Sequence, residues 1–455
     1  MTSLTQAAGQ FLADISYEKL PQEALPIVRD AFTDTVGVIM VGIDEPIANI
    51  VRRTLVEPAG VHETRACLSR IRVGAPDAAL LAGAIAHSLD YDDQSLSGHP
   101  SAVLVPAILA EAEAQGSTGR EMVTAYVAGY EVWAEVWRRD RDHHAKGWHP
   151  TSVFGSIAAA AACAVLRRLS AEQAATALAI AASHAGGLFS NFGSLTKGYH
   201  AGMSARSGVI AARLAEAGMT AGHDALENRQ GFLAAFSKSG NPDLTSEAKL
   251  GREWYLPKHQ PLIKRHPTCY FMHRSFEATV DMLGDRRLDP DDVESVEVSM
   301  GRGEITVLVY DRPQTRYEAE FSGQYSIAAA VILGRMGVPE LADEVVQRPD
   351  MQAFFPKVRL VPDDEVDPRD PVFSLTERVT IQLKSGEVID SGPVASIPGH
   401  ASDPLTQEQL WDKFRECTVK THHEPDARAL FDALQRIELL DSALQLPTCT
   451  SVFND

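Results

Sequence analysis

From the N-terminus to about Lys264, apolar residues recur every three or four positions and the alternation of half-buried strands is scarce. That periodicity restricts this stretch to packed helices. Thr118-Gly-Arg-Glu121, Ser170-Ala-Glu-Gln173 and, far downstream, Thr406-Gln-Glu-Gln409 read as capping boxes. In such a box a hydroxyl and a side chain three residues on satisfy the free N–H groups of a first helical turn. Behind the first box, Met122, Tyr126, Tyr130, Trp133 and Trp137 form one helical stripe. The run from Ile157 to Leu166 is so rich in small side chains that close packing against other helices is expected. It ends at Arg167 and Arg168 and is too short for a bilayer span, which takes about 20 residues.

Near Lys264 the pattern changes. HRSFEATVDML predicts a helix, VESVEVSM a strand, FSGQYSIAAAVIL a helix, and ERVTIQLKSGEVIDS a hairpin turning at Ser385-Gly386. The chain of 455 residues exceeds the roughly 250–300 at which single cores stop growing. The expected fold class is therefore mainly α, with a large all-helical domain over 1–268 and 396–455. A smaller α+β domain, 269–395, is inserted late, so that the terminal helices return to the first domain.

The net charge of −19 argues against a nucleic-acid partner or an anionic membrane surface. It leaves a small anionic substrate open, because a few cations gathered in a cleft dominate the local field. The opening MTSLTQAAGQFLADIS lacks a basic region and a long apolar core, so no secretory leader is expected and the expected location is cytoplasmic. Cys67, Cys163, Cys269, Cys417 and Cys449 form no CxxC pair, which speaks against zinc ribbons and the usual iron–sulfur spacings. Most of them are expected to be reduced, buried fillers.

Against this helical background one stretch is chemically dense: HSLDYDDQSLSGHP, from His87 to Pro100, with Asp90, Asp92, Asp93 and His99 between two apolar segments. Burying carboxylates is costly unless they are paired, protonated or ligated. An exposed acidic loop is the plain alternative. Four further stretches stand out: Gly147-Trp-His-Pro-Thr-Ser152, Asn191-Phe-Gly-Ser-Leu-Thr-Lys-Gly-Tyr-His200, Lys264-Arg-His-Pro-Thr-Cys-Tyr-Phe-Met-His273 and Val309-Tyr-Asp-Arg-Pro313. The second reads as a Gly-bearing loop gathering Lys197 and His200, and the last as the end of a strand. Together they supply titratable bases and cations, which is what removing a proton beside a carboxylate requires. Tyr91 and Phe192 are expected in core packing, His143 and His144 at a solvated helix end, and His400 in a structural turn.

Taken in order, LDYDD…GHPS, GWHPTS, NFGSLTKGYHAGMSAR, KRHPTC, YDRP and IPGHASDPLT resemble the MmgE/PrpD family over nearly the whole chain. The family includes 2-methylcitrate dehydratases, cis-aconitate decarboxylases and an iminodisuccinate epimerase. The resemblance implies a helical domain and an α+β domain with a cleft between them, usually in a homodimer. It also implies chemistry on small di- or tricarboxylates with no metal and no organic cofactor. By position, Asp90, His99, His149, Lys197 and Tyr310 fall where the family's active-site residues lie. His99 and His149 would act as general acid or base, Lys197 would neutralise substrate charge, Asp90 would orient His99 or Lys197, and Tyr310 would close the cleft. Thr151, His200 and Lys264 are the candidates for binding substrate, and Cys269 is a further candidate base.

Decarboxylase-type members carry a histidine where this chain has Cys269, with His273 one turn further on, and the Asp93–His99 loop is about one residue shorter. These departures, with KRHPTCY, look nearest to the epimerase type. The expected activity is a dehydratase-type lyase, with epimerisation and then decarboxylation as alternatives. A magnesium-dependent isoprenoid enzyme would need a second acidic motif, an iron–sulfur hydratase three clustered cysteines, and a helical scaffold none of the loop histidines.

Overall fold

The computed structural model describes residues 3–56, 60–140, 146–237, 240–367, 373–449 and 453. His143 and His144 lie outside the described residues. The fold is mainly helical with small sheets. Two compact units are distinguished: Met1–Ser88 with Asp92–Ile263 and Thr406–Asp455, and Leu89–Tyr91 with Lys264–Leu405. Among the described residues no helix is long and apolar enough to cross a membrane.

In the first unit the helices Ala75–Ala86, Ser101–Gln115, Gly119–Trp137, Pro150–Leu166 and Leu195–Glu216 pack on one another. The small-residue run is interior: from Val153 to Ala164 the Pro150 helix is buried throughout. The aromatic stripe Tyr126, Tyr130, Trp133, Trp137 is buried too. Thr118, Ser170 and Thr406 each make the expected capping box. One crossing depends on missing side chains. A Cβ on Gly202 would stand 2.3 Å from the Leu80 carbonyl oxygen, and one on Gly83 would stand 2.9 Å from Gly202 Cα. Two helices can therefore touch backbone to backbone, which brings the start of the Leu195 helix beside the end of the Ala75 helix.

The second unit holds a four-stranded sheet in the order Val358–Asp363, Val293–Gly301, Arg378–Leu383, Val388–Asp390. The first pair is parallel and the other two are antiparallel, with Val296 opposite both Val358 and Ile381. Helices His273–Leu283 and Gly323–Ile332 pack on each other and on the sheet. The hairpin turns through Gly386 at φ +92°, a conformation that favours glycine. Arg274 is buried between Glu304 (2.8 Å) and Glu377 (2.7 Å). Tyr310 does not end a strand. The strand stops at Gly301, where Glu304 returns to accept the Gly301 N–H, and a helical turn, Arg302–Ile305, intervenes before an irregular segment carries Tyr310.

Candidate active site

The acidic stretch is a loop, and it is buried. It leaves the Ala75–Ala86 helix at His87 and enters the next helix at Ser101. Its tip is a two-residue turn in which Ser95 and Gly98 exchange backbone hydrogen bonds at 2.9 Å. The central residues Leu96 (φ +49°) and Ser97 (φ +61°) are left-handed, a conformation costly for anything but glycine or asparagine. Surrounding groups hold it: Trp133 Nε1 donates to the Leu96 carbonyl (3.2 Å), Trp137 Nε1 to Ser97 Oγ (3.0 Å), and the His99 N–H to Thr151 Oγ1 (3.2 Å). Gly98 leaves no room for a side chain, since a Cβ there would lie 2.8 Å from the Trp133 ring.

Within the first unit the loop assembles a histidine cluster around one carboxylate. His87 Nδ1 lies 3.1 and 3.0 Å from the two oxygens of Asp92. His99 Nδ1 lies 3.0 Å from Asp92 Oδ2, the His87 contact being the better aligned of the two. The His87 and His99 rings are 4.4 Å apart, and His149 stacks on His87 at 5.4 Å. His149 Nδ1 in turn meets His200 Nδ1 at 3.1 Å, so one ring donates and the other accepts. Phe192 sets its ring edge-on to His149 at 4.8 Å and lies 5.4 Å beneath Lys197 Nζ. Phe192 is thus a wall of the cluster and not core filler. Lys197 and His200 stand on the first turns of the Leu195–Glu216 helix, not in a loop, and their three-residue spacing gives them one face.

The electrostatics follow from burial and partners. Burial pushes His87 down to about 3, with the nearby Lys197 charge and His99 adding to the fall and Asp92 only partly opposing it. His149 is held well below its usual range by burial, then by His87 and Lys197, and His200 falls to about 4 through burial and Lys197. Burial alone would raise Asp92, but His87 and His99 outweigh it and hold the carboxyl well below the usual range. Near neutrality an ionised Asp92 therefore faces a neutral His87. The donor atoms of His87, Asp92 and His99 all lie within 4.8 Å of one another, a spacing a cation could use. Hydrogen bonding between imidazole and carboxylate already accounts for that spacing.

His99, His149, Thr151, Lys197 and His200 thus gather in the first unit, with Thr151 holding the His99 backbone. In the first unit a carboxylate oxygen of Asp92 faces His99. Asp90 (φ +46°) belongs to the second unit, where Lys264 is buried against it: Nζ lies 2.9 Å from Oδ2 and donates to the Asp90 carbonyl at 2.6 Å. Cys269, also in the second unit, is buried, and its N–H donates to the Glu320 carbonyl at 2.9 Å. Tyr310 is half-buried there, its hydroxyl raised above its usual range by burial and by Glu318. The sequence reading missed His87 and Asp92 as members of the cluster. The available signal was their five-residue spacing across a helix end, which returns the carboxylate to the imidazole once the helix stops.

Two family models, the MmgE/PrpD N-terminal domain over residues 6–245 and the MmgE/PrpD C-terminal domain over residues 266–439, match this sequence. The chain belongs to the MmgE/PrpD family. It is 26% identical to the cis-aconitate decarboxylase of Homo sapiens over 98% of this chain and 94% of that protein. It is 28% identical to that of Mus musculus over 80% and 76%, and 24% identical to that of Aspergillus terreus over 98% and 96%.

Proposed function

We propose that this chain is a lyase acting on a small di- or tricarboxylate, and that its reaction is decarboxylation of a cis-aconitate-like tricarboxylate. The observation that carries the reading is the cluster itself: four buried imidazoles and Lys197 at the starts of three helices and the end of a fourth. Helix N-termini favour anions, and Lys197 adds a full positive charge where a substrate carboxylate would sit. The names of the relatives supply the substrate class.

Decarboxylation of such an acid breaks the bond between a CH2 carbon and its carboxylate. The released electron pair forms a new terminal double bond, and the pair of the old double bond takes a proton at carbon. The products are CO2 and a methylene-succinate. The protein has to grip the retained carboxylates, leave the departing one free of a cation, and deliver one proton. Lys197 serves the first need and His99 or His149 the last, with Thr151 and His200 fixing their orientation.

A second reading rests on Cys269, which stands where decarboxylase-type members carry histidine. Dehydration of a 2-methylcitrate-type hydroxy acid, or epimerisation of an iminodisuccinate-like acid, uses proton transfer next to a carboxylate without loss of CO2. Proton NMR in D2O with cis-aconitate, citrate, 2-methylcitrate and iminodisuccinate separates these. Terminal =CH2 signals from cis-aconitate, with one deuterium in the product, are expected. Vinyl signals arising only from a hydroxy acid, or deuterium entering an α-carbon without a new product, would replace the first reading with the second.

A further inference from the structure

His87 and Asp92 are unused by the steps above, yet they form the best-defined contact in the cluster. Both are buried, at 1% and 0% exposure, and His87 Nδ1 reaches both carboxylate oxygens. A carboxylate held this way can only accept, so the imidazole nitrogen facing it must carry the proton. His99 Nδ1 lies 3.0 Å from Oδ2 in a less well aligned contact, and the same acceptor-only carboxylate favours the proton on that nitrogen. We propose that Asp92, held in place by His87, is a positioning residue that fixes His99 as its Nδ1–H tautomer and so makes His99 Nε2 the nitrogen that exchanges a proton with the substrate. This rests on the reading of the site as one that transfers a proton at carbon.

The consequences are chemical. When Nε2 of His99 bears the proton to be delivered, the imidazolium has the Asp92 carboxylate at its other nitrogen, and that charge stabilises it. When the proton leaves for carbon, the pair of the old double bond becomes the new C–H bond and His99 returns to the neutral Nδ1–H form. Asp92 itself neither gains nor loses a proton. An Asp–His arrangement of this kind works through orientation, tautomer and charge, and loses activity when the carboxylate becomes an amide. His87 is the second clamp: by donating to both oxygens it stops Asp92 from turning away. His87 Nε2 has no hydrogen-bond partner among the described residues, which agrees with a ring retained for its Nδ1–H.

The alternative is that these contacts merely hold the loop, and two measurements separate the roles. The first is NMR of protein labelled with 15N-histidine, read without substrate, the His99 signals being those lost in His99→Gln. Wild type is expected to show His99 as Nδ1–H, and Asp92→Asn to shift it towards Nε2–H. The second is turnover of whichever carboxylate the panel identifies. Asp92→Asn should lower kcat by about 10²–10⁴-fold with KM within roughly 3-fold. His87→Leu should lower kcat too. His87→Asn, whose amide N–H takes the place of Nδ1–H, should recover at least about tenfold of that loss, and His87→Gln, which mimics Nε2, should not. An Nε2–H tautomer for His99 in the wild type, or rescue by Gln instead of Asn, overturns the proposal. So does an Asp92→Asn enzyme with kcat within roughly 3-fold of wild type. If Asp92→Asn does not fold, the His87 series carries the test. If no acid in the panel reacts, the functional reading fails while the tautomer still decides the inference.

Discussion

Asp92 and Asp93 are adjacent, both wholly buried, and they are held in opposite states. Asp92 faces the histidines, which overcome the effect of burial and keep it ionised. Asp93 points the other way, towards helices of the core. There burial raises it well above the usual range, Asp34 and Asp92 add to the rise, and the Ser101 hydroxyl and Lys413 only partly oppose it. Ser101 donates to Asp93 and meets the Tyr126 hydroxyl at 2.7 Å. Equal burial therefore settles nothing about charge; the partners do. On the proposed reading one side of the loop serves the chemistry, while the other anchors the loop in the core.

The sharpest way to break that contrast is to remove groups from the histidine side. His149→Ala and Lys197→Ala should each lower turnover by about 10²–10⁴-fold, equivalent to about 3–5 kcal/mol in the barrier, with little change in melting temperature. Steady-state kinetics beside circular dichroism checks this. Two folded variants with full turnover would remove the site.

Arg274 extends the comparison to the second unit, where a buried cation serves two acidic side chains. Burial raises Glu377, Arg274 pulls it back, Glu304 adds to the rise, and the net result is about 8. Arg274→Met should destabilise by about 3–5 kcal/mol, the usual cost of stranding a buried charge. Because burial and Glu304 favour the neutral form of Glu377, Glu377→Gln should cost far less. Denaturant melts that rank the two variants the other way would show that Glu377 is ionised in the folded protein.

Gly98→Ala tests whether the loop needs its geometry. Its Cβ would collide with the Trp133 ring and stand 3.1 Å from the Thr151 nitrogen, so the turn, His99 and the start of the Pro150 helix must shift together. A stability loss of about 1–3 kcal/mol is expected, together with a fall in turnover of about tenfold or more. Unchanged kinetics would mean that His99 need not sit where the turn now places it.

Much of this was legible in the chain because it is local. Capping boxes, the aromatic stripe, the hairpin at Gly386 and the helices after His273 and Gly323 each depend on a few neighbouring residues. The motif histidines were legible as motifs. Which carboxylate meets which imidazole was not, because Asp90 is itself left-handed and the position of His99 depends on a loop tip held by Trp133, Trp137 and Thr151 from distant helices. Lys197 and His200 looked like loop residues because of the glycines around them. Gly198 and Gly202 instead let a helix approach its neighbour, where a Cβ would meet backbone oxygens.

The smallest effect on turnover, and the finest test of the contrast, is expected from Asp93→Asn. An amide is a near-isostere of a neutral carboxyl and can still accept from Ser101, so activity near neutrality should stay within roughly 3-fold of wild type. The signature lies in stability against pH. Asp93 is raised above its unfolded value of 3.8. The stability it contributes is complete below that value and is lost as pH rises towards the folded pKa, because the unfolded chain releases a proton that the folded one keeps. Asp93→Asn lacks this loss, so its stability relative to wild type should improve as pH rises from about 4 towards neutrality. Asp92 has the opposite sign: its contribution is present above 3.8 and is lost as pH falls through its lower folded value. Asp92→Asn should therefore fall further below wild type only while pH rises towards 3.8, and keep a near-constant deficit from about 4 to neutrality. Denaturant melts of both variants at several pH values measure the two slopes. Parallel slopes would mean that the two neighbours share one state and that the loop has one chemical side, not two.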